Sequence, residues 1–287
     1  MKLMKDKIFT CSIVVYENDE EKLRQAIQSF LEITLFSKLY IIDNSPTDFL
    51  QKICISPKIE YVHSKKNLGF GKAHNIILRK IKDSDGVHLI MNPDIFFNQG
   101  VVEELYKYIV SDKSIGLVMP KVLNVDGSIQ YNCKLLPKPY NLIVRRFFGF
   151  FTSLVDKSND KYEMRFTDYN HIMEVPYLSG CFMLVKNEVL RNVGLFDERF
   201  FLYAEDIDFS RRIHQKYKTM YYPKVEIYHY HEKGSYKDLK LLYYNIQSAF
   251  RYFNKWGWWG DRERTEVNQK TMIENRSFKI FKKYQEG

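Results

Sequence analysis

Two short acidic stretches have the residue types and spacing for chemistry. Asn92-Pro93-Asp94 follows the apolar run Val87 to Met91. A carboxylate set just past a buried strand can hold Mg2+ or Mn2+, while anionic ligand oxygens and waters complete an octahedron. Glu205-Asp206-Ile207-Asp208 opens a run with helical spacing, and a carboxylate at the start of a helix suits a base that takes a proton from a hydroxyl. Successive helical residues turn by about 100°, so Glu205, Asp206 and Asp208 cannot all face one substrate. Both stretches also have purely structural uses, Asp94 as a turn cap and the three acids as company for the positive end of a helix. His229 and His231 flank Tyr230 after a strand, and in extended chain they point the same way. A neutral imidazole there can meet a metal from the side opposite Asp94, contact a phosphate, or simply pack.

These groups need elements that bring them together. Ile8 to Tyr16 reads as a buried strand, followed by Asp19 to Phe30 with Leu23, Ala26, Ile27 and Phe30 at helical spacing. Leu39 to Ile42, Ile59 to Val62 and Val87 to Met91 read as further strands, with Gly71 to Ile81 a helix between the last two. Strands alternating with helices predict an α/β fold with a doubly wound, mostly parallel sheet, whose ligand loops lie at the carboxyl ends of the strands. Asp43 and Asp94 both fall at such ends. Asn67, Gly69 and Gly71 form a glycine-bearing loop before a helix, where backbone amides can approach an anion or a ribose, without the spacing of a P-loop or dinucleotide fingerprint. The second half changes character. Ile115 to Val122, a turn at Asn124-Val125-Asp126-Gly127 and Ser128 to Cys133 suggest antiparallel pairing. Val175 to Val185 reads as one strand, Glu205 to Tyr217 as a helix, Thr219 to Tyr222 and Val225 to Tyr228 as two strands around Pro223, and Tyr236 to Lys255 as a long helix.

Composition narrows the rest. The 287 residues carry 44 Lys and Arg against 35 Asp and Glu, a net charge of +9 that suits a phosphorylated substrate, an anionic membrane or nucleic acid equally. The basic residues are dispersed rather than gathered on one face with aromatic platforms, which argues against nucleic acid as a partner. Cys11, Cys54, Cys133 and Cys181 are far apart and form no Cys-x-x-Cys pair, which predicts neither a zinc knuckle nor a disulfide framework and fits a reducing, cytoplasmic setting. Thr10 and Ser12 interrupt the apolar N-terminal run and no small-x-small site follows, so a first strand is a better reading than a leader. No apolar run approaches the roughly 20 residues that span a bilayer. Peripheral membrane contact is suggested instead by Leu142 to Phe151, where Arg145 and Arg146 adjoin Phe147, Phe148, Phe150 and Phe151, and by Trp256, Trp258 and Trp259.

As an ensemble, the motifs resemble those of family 2 inverting glycosyltransferases. Ser12 to Tyr16, Ile41-Ile42-Asp43-Asn44-Ser45, Asn67-Leu68-Gly69-Phe70-Gly71-Lys72-Ala73-His74-Asn75 and Asn92-Pro93-Asp94 are similar to the nucleotide-binding half. Ser179-Gly180-Cys181-Phe182, Gly194 to Phe201, Tyr203 to Asp208 and His231-Glu232-Lys233-Gly234-Ser235 are similar to the acceptor half. Asn-x-Gly-Phe-Gly with Asn-Pro-Asp looks most like bacterial rhamnosyltransferases of surface polysaccharide synthesis. The resemblance implies a GT-A-like domain over residues 1–255, with a nucleotide-binding half to about 122, an antiparallel acceptor half over 123–255, and a basic, aromatic C-terminal helical extension over 256–287. It implies donor contacts at Tyr16, Asp43, Asn67, Gly69, Asn75, Asn92 and Asp94, with Asp43 accepting from a pyrimidine ring N–H. It puts Asp206 in the role of base, Gly180 and Glu205 on the acceptor side, and Mg2+ or Mn2+ on Asp94 and, by its place before Gly234 and Ser235, His231. The family often presents Asp-x-Asp where this chain has Asn92, which leaves one firm carboxylate ligand. The implied partners are a nucleotide-sugar donor, favoured as dTDP-L-rhamnose with UDP-hexoses behind it, and a saccharide or polyprenyl-diphosphate-linked acceptor. A catalytically silent scaffold of the same fold is disfavoured because Asp94 and Asp206 are both present, and a nucleotidyltransferase because no glycine- and arginine-rich phosphate loop follows Tyr16.

Overall fold

The computed structural model describes residues 8–144, 159–230 and 239–285. The first half winds β1 (Ile8–Val15), α1 (Glu20–Leu31), β2 (Ser37–Asp43), β3 (Ile59–His63), α2 (Phe70–Ile81) and β4 (Gly86–Met91). β1 pairs in parallel with both β2 and β4, and β2 with β3, so the chain order reverses at β1. Phe9, Cys11, Ile13 and Val15 on β1 and Leu39, Ile41 and Ile42 on β2 are essentially inaccessible, and Thr10 and Ser12 between them are buried too, so both faces of β1 are covered.

The second half extends the same sheet. β5 (Ile95–Phe96), α3 (Val101–Ser111), β6 (Ile115–Leu123) and β7 (Cys133–Lys134) are followed by β8 (Met173–Glu174), β9 (Tyr177–Leu178), β10 (Phe182–Lys186), α4 (Asn187–Val193), α5 (Glu205–His214) and β11 (Lys218–His229). The sheet order is β3-β2-β1-β4-β10-β6-β11-β5, with β10 antiparallel to both its neighbours. β7 and β9 form a separate two-stranded ribbon. A mostly parallel nucleotide-side sheet with antiparallel additions is therefore what the sequence predicts, with three local differences. The expected strand over Val175 to Val185 is broken at Ser179 and Gly180, where the chain leaves the ribbon for the main sheet. The expected pair of strands around Pro223 is one strand, because an irregularity between Tyr222 and Glu226 takes up the proline without ending the ladder. The helix expected to Tyr217 stops at His214.

Two helices complete the described chain, α6 (Leu239–Trp256) and α7 (Arg262–Gln285). A second cluster of Leu136, Tyr177, Phe200, Ala204, Ile207, Tyr252 and Phe253 packs α6 under α5. Asp208, fully buried on α5, receives Lys255 at 2.6 Å, Arg212 at 2.8 Å and the Trp256 indole at 2.9 Å. Arg211 is equally buried, paired with Asp261 at 2.7 Å and stacked 4.1 Å over Trp256. The Asn268 amide bonds both N–H and C=O of Leu136. The start of the 256–287 segment is thus tied to the body by buried polar contacts as well as by Trp256, Trp258 and Val267, which pack against the second cluster. Of the aromatic segment expected to meet a membrane, Phe147, Phe148, Phe150 and Phe151 lie outside the described residues, and Leu142 and Ile143 pack against the second cluster. Among the described residues no helix is long and apolar enough to cross a membrane.

A buried polar chain runs through the first half. Ser12 Oγ lies 2.7 Å from His74 Nδ1 and 2.8 Å from His88 Nε2, and Thr10 Oγ1 lies 2.8 Å from His88 Nδ1. Burial lowers His74 to about 3 and His88 well below its ordinary value, and lowers His214 to about 4. The folded state refuses protons that the unfolded chain takes up near pH 6.5. Each such histidine therefore contributes stability that is present above that pH and is lost, by about 1.4 kcal/mol per pH unit, as pH falls toward the folded value. The denaturation midpoint is expected to drop steeply between pH 6.5 and 5, before most carboxylates titrate. A midpoint constant from pH 7.5 to 5 contradicts neutral burial of these rings.

Candidate functional site

A cleft of about 910 Å³ opens beside the ends of β4 and β10, lined among others by Asn92, Gly180, Cys181, Asp206 and His229. That volume is at the upper end for a small-molecule site. Asp206 stands in its wall. Its Oδ2 accepts from the Gly180 amide at 2.9 Å and the Tyr177 hydroxyl at 3.0 Å, and its Oδ1 from the Ile207 amide at 2.9 Å. Burial, and then the charge of Asp206, hold the Tyr177 hydroxyl well above its ordinary pKa, so it donates and does not titrate. Three donors fix the carboxylate while a lone pair on Oδ1 remains for a substrate hydroxyl.

The approach to this carboxylate is strained. Tyr203 and Ala204 both take positive φ, 69° and 63°, immediately before α5, an arrangement costly for residues with side chains. Gly180 explains itself from the same contact. A Cβ there would lie 2.9 Å from the Asp206 Cβ and 3.3 Å from its Oδ2. The sequence reading gave Gly180 to the approach of an acceptor; in the structure its missing side chain makes room for Asp206. Glu205 is 5% exposed and lines the cleft, and its Oε2 has no hydrogen-bond partner. Burial first, and the neighbouring Asp206 charge second, push its carboxyl up into the range where it stays protonated at neutral pH.

Asp94 meets a histidine. β5 pairs antiparallel with β11, placing His229 opposite Ile95, and His229 Nε2 comes within 3.3 Å of Asp94 Oδ1. The Gln130 amide nitrogen donates to Asn124 Oδ1 and to the His229 carbonyl, so its Oε1 is left to accept from His229 Nδ1 at 2.9 Å. With its proton on Nδ1, the ring presents Nε2 to Asp94, either with a second proton or as a lone pair toward a shared cation. Among the described residues no group of three or more His, Cys, Asp or Glu side chains could hold a metal. One carboxylate and one imidazole fit an ion that takes most of its ligands from a diphosphate and water, as Mg2+ and Mn2+ do. His231, the other histidine of the sequence reading, lies outside the described residues.

Other expected donor contacts are put to different uses. Asp43 is fully buried, with Oδ1 accepting from the Ser45 amide at 2.7 Å and Oδ2 from the Tyr61 hydroxyl at 2.6 Å, and each oxygen keeps a further lone pair. Asn67 accepts from the Gly69 amide, and the Phe70 amide donates to the Phe201 carbonyl. Those two amides of the glycine loop therefore serve the protein and not an anion. Gly69 has φ +77°, and a Cβ on it would lie 2.0 Å from that carbonyl. Asn75 is 1% exposed and clamps both backbone groups of Phe196, so it is a strut between α2 and the loop before α5, not a donor contact. Tyr16, 43% exposed at the end of β1, and Asn92, in the cleft wall, remain free to meet a ligand. Sequence reasoning missed Tyr177 and Gln130, the residues that orient Asp206 and His229. Tyr177 was hidden in what read as one continuous strand.

Comparison with known proteins follows the same lines. The sequence model of a family described as "Glycosyl transferase family 2" matches residues 11–194. The chain is 26% identical over 203 residues to "Low-salt glycan biosynthesis hexosyltransferase Agl10" of Haloferax volcanii, covering 70% of this chain and only 60% of that relative. It is 23% identical to "N-acetylglucosaminyl-diphospho-decaprenol L-rhamnosyltransferase" of Mycobacterium tuberculosis, covering 69% and 68%, and 25% identical to "Rhamnosyltransferase WbbL" of Escherichia coli, covering 93% and 95%. A crystal structure of GalNAc-T7 with UDP, GalNAc and Mn2+ superposes with a TM-score of 0.61 at 15% identity over 80% of this chain and 44% of that one, a likeness of fold.

Proposed function

The chain belongs to glycosyl transferase family 2, and from that premise we propose that it transfers a hexose, L-rhamnose from dTDP-L-rhamnose, to a lipid-linked saccharide in a single inverting displacement. The observation that carries the reading is Asp206, fixed by three donors in the wall of a cleft that also holds His229 and, beside it, Asp94. Asp206 takes the proton of the acceptor hydroxyl as its oxygen forms a bond to the anomeric carbon. The bond from that carbon to the diphosphate breaks, and the nucleoside diphosphate leaves with the electron pair. No covalent enzyme intermediate is needed, because base and leaving group stand on opposite faces of the sugar. Tyr177 and Gly180 hold the base in place, and Glu205 offers a neutral carboxyl to a sugar hydroxyl. Asp94 and His229 would hold Mg2+ or Mn2+, which when bound neutralises charge on the departing diphosphate.

Rhamnose is supported by two relatives named as rhamnosyltransferases, and a diphosphate-linked lipid acceptor by the name of one of them. Exposed Leu239, Tyr243, Phe250 and Trp259 on and after α6 support peripheral contact with the cytoplasmic face of a membrane. Thermal unfolding in the presence of a panel of sugar nucleotides and Mn2+ tests the donor. A ligand at 100 times its Kd stabilises by about 2.7 kcal/mol, a clear shift in midpoint. dTDP-L-rhamnose is expected to give the largest shift. A shift with UDP-hexoses alone moves the donor to the reading supported by the hexosyltransferase relative, and no shift with any of them defeats the proposal.

A further inference from the structure

Past β7 the chain runs through Leu135, Leu136 and Pro137 outside the β7–β9 ladder, yet Leu136 is 1% exposed. Buried backbone groups need partners. Here α7 supplies them. The Leu136 N–H donates to Asn268 Oδ1 at 2.8 Å, and the Leu136 carbonyl accepts from Asn268 Nδ2 at 2.9 Å. One turn earlier on the same helix, the buried Arg264 donates through Nη1 to the Pro137 carbonyl at 3.2 Å. An asparagine amide carries the donor and the acceptor of a peptide group, so Asn268 serves this stretch as a residue of a neighbouring strand would. Both side chains lie outside residues 11–194, the stretch that matches the family.

Two routes lead from this clamp to Asp206. The first is backbone. Two residues before Leu136, Lys134 pairs with Tyr177 across the ribbon, and beyond it the Ser179 amide donates to the Asn132 carbonyl at 3.3 Å. The ribbon thereby sets where Tyr177 and Gly180 stand, and both donate to Asp206 Oδ2, at 3.0 and 2.9 Å. The second is packing. Leu136 shares a buried cluster with Tyr177, Ala204 and Ile207, the last being the chain neighbour of Asp206. We propose that Asn268, assisted by Arg264, is a positioning residue for the transfer: α7 holds the β7 side of the ribbon, and through it the two donors that aim the Asp206 carboxylate. The proposal deepens the reading of Asp206 as the base and rests on it. Neither Asn268 nor Arg264 lines the cleft, so their effect belongs in the rate and not in nucleotide affinity.

Asn268→Leu keeps the shape of the side chain and removes both hydrogen bonds, and Arg264→Met removes the bond to Pro137 while keeping the stem. Hydrogen exchange on the full chain, read by mass spectrometry, needs no substrate. Peptides spanning 175–182 are expected to exchange about tenfold faster in Asn268→Leu, while those of β1, β2 and β4 keep wild-type rates. Arg264→Met should give a smaller change at the same place, and carries the test should Asn268→Leu fail to fold. Tyr177→Phe should also quicken this segment, and adding Asn268→Leu to it should bring less than the product of the two separate effects, because the tyrosine bond through which the clamp acts is already gone. Turnover of dTDP-L-rhamnose should fall about tenfold in Asn268→Leu, with dTDP affinity in the presence of Mn2+ unchanged. Wild-type exchange over 175–182 in both variants, equal acceleration throughout the sheet, fully multiplicative effects with Tyr177→Phe, or unchanged turnover each overturns the proposal. A wrong donor would appear as no turnover in wild type, and exchange then decides. A wrong base would appear as normal turnover in Asp206→Asn, so that failure is distinguishable from failure of the clamp.

Discussion

Asp206→Asn is expected to lower turnover by about 10²-fold or more, the usual cost of losing a general base, with donor affinity unchanged. The amide keeps the size of the carboxylate, and its single oxygen can still accept from the Gly180 amide or from the Ile207 amide, which donate to different oxygens of Asp206. It cannot accept a proton. Neighbouring substitutions separate this effect from damage to the helix. Glu205→Gln replaces a buried carboxyl that is already held protonated, so it should leave turnover within a few-fold of wild type. Asp208→Asn removes the negative charge between Lys255 and Arg212 in a fully buried site, and should cost about 3 kcal/mol of stability, typical of breaking a buried ion pair, before it touches catalysis. Gly180→Ala keeps every chemical group but pushes a methyl against the Asp206 side chain. A displaced base should lower turnover on the order of tenfold or more. Near-normal turnover in Asp206→Asn, with activity lost in Glu205→Gln instead, would move the base to Glu205.

What the sequence revealed and what it hid follow from the range of the interactions concerned. The parallel half was legible because its strands are largely buried, so apolar residues dominate Phe9 to Val15, Leu39 to Ile42 and Val87 to Met91, and the last two runs end at Asp43 and just before Asp94. Pairings that cross the chain were not legible. His229 reaches Asp94 through the short β5–β11 ladder, and the apolar pattern of either strand alone says nothing of the other. The helix α3 did carry a signal, Val102, Leu105, Tyr106 and Ile109 at helical spacing, that was passed over. Polar residues were the least readable. Asn75 in a donor-like motif is a buried strut to Phe196, 121 positions away, and Asp43 at an apt strand end is already bonded by Tyr61. A buried amide and a ligand-binding amide have the same letter in a sequence. Only the partner on the other side tells them apart.

The same reasoning gives the second large effect, on binding rather than turnover. Asp94→Asn should weaken nucleoside-diphosphate binding in the presence of Mn2+ by at least tenfold and make what remains insensitive to a chelator. The argument is electrostatic. The cleft offers one carboxylate to an ion that would otherwise face the diphosphate and a neutral imidazole, so the substitution removes the protein's negative charge from that coordination sphere. His229→Asn should reproduce a smaller part of the loss, since one nitrogen ligand goes but the charge stays. Gln130→Leu should weaken binding through His229 alone, because the ring then lacks the acceptor that holds its proton on Nδ1. The contrast with His231→Asn decides which histidine meets the ion: a loss there with none in His229→Asn assigns the role to His231. Nucleotide affinity that is indifferent to chelator in wild type and Asp94→Asn alike would show that Asp94 holds no metal, and that its approach to His229 is an ion pair that orders the loop between β4 and β5.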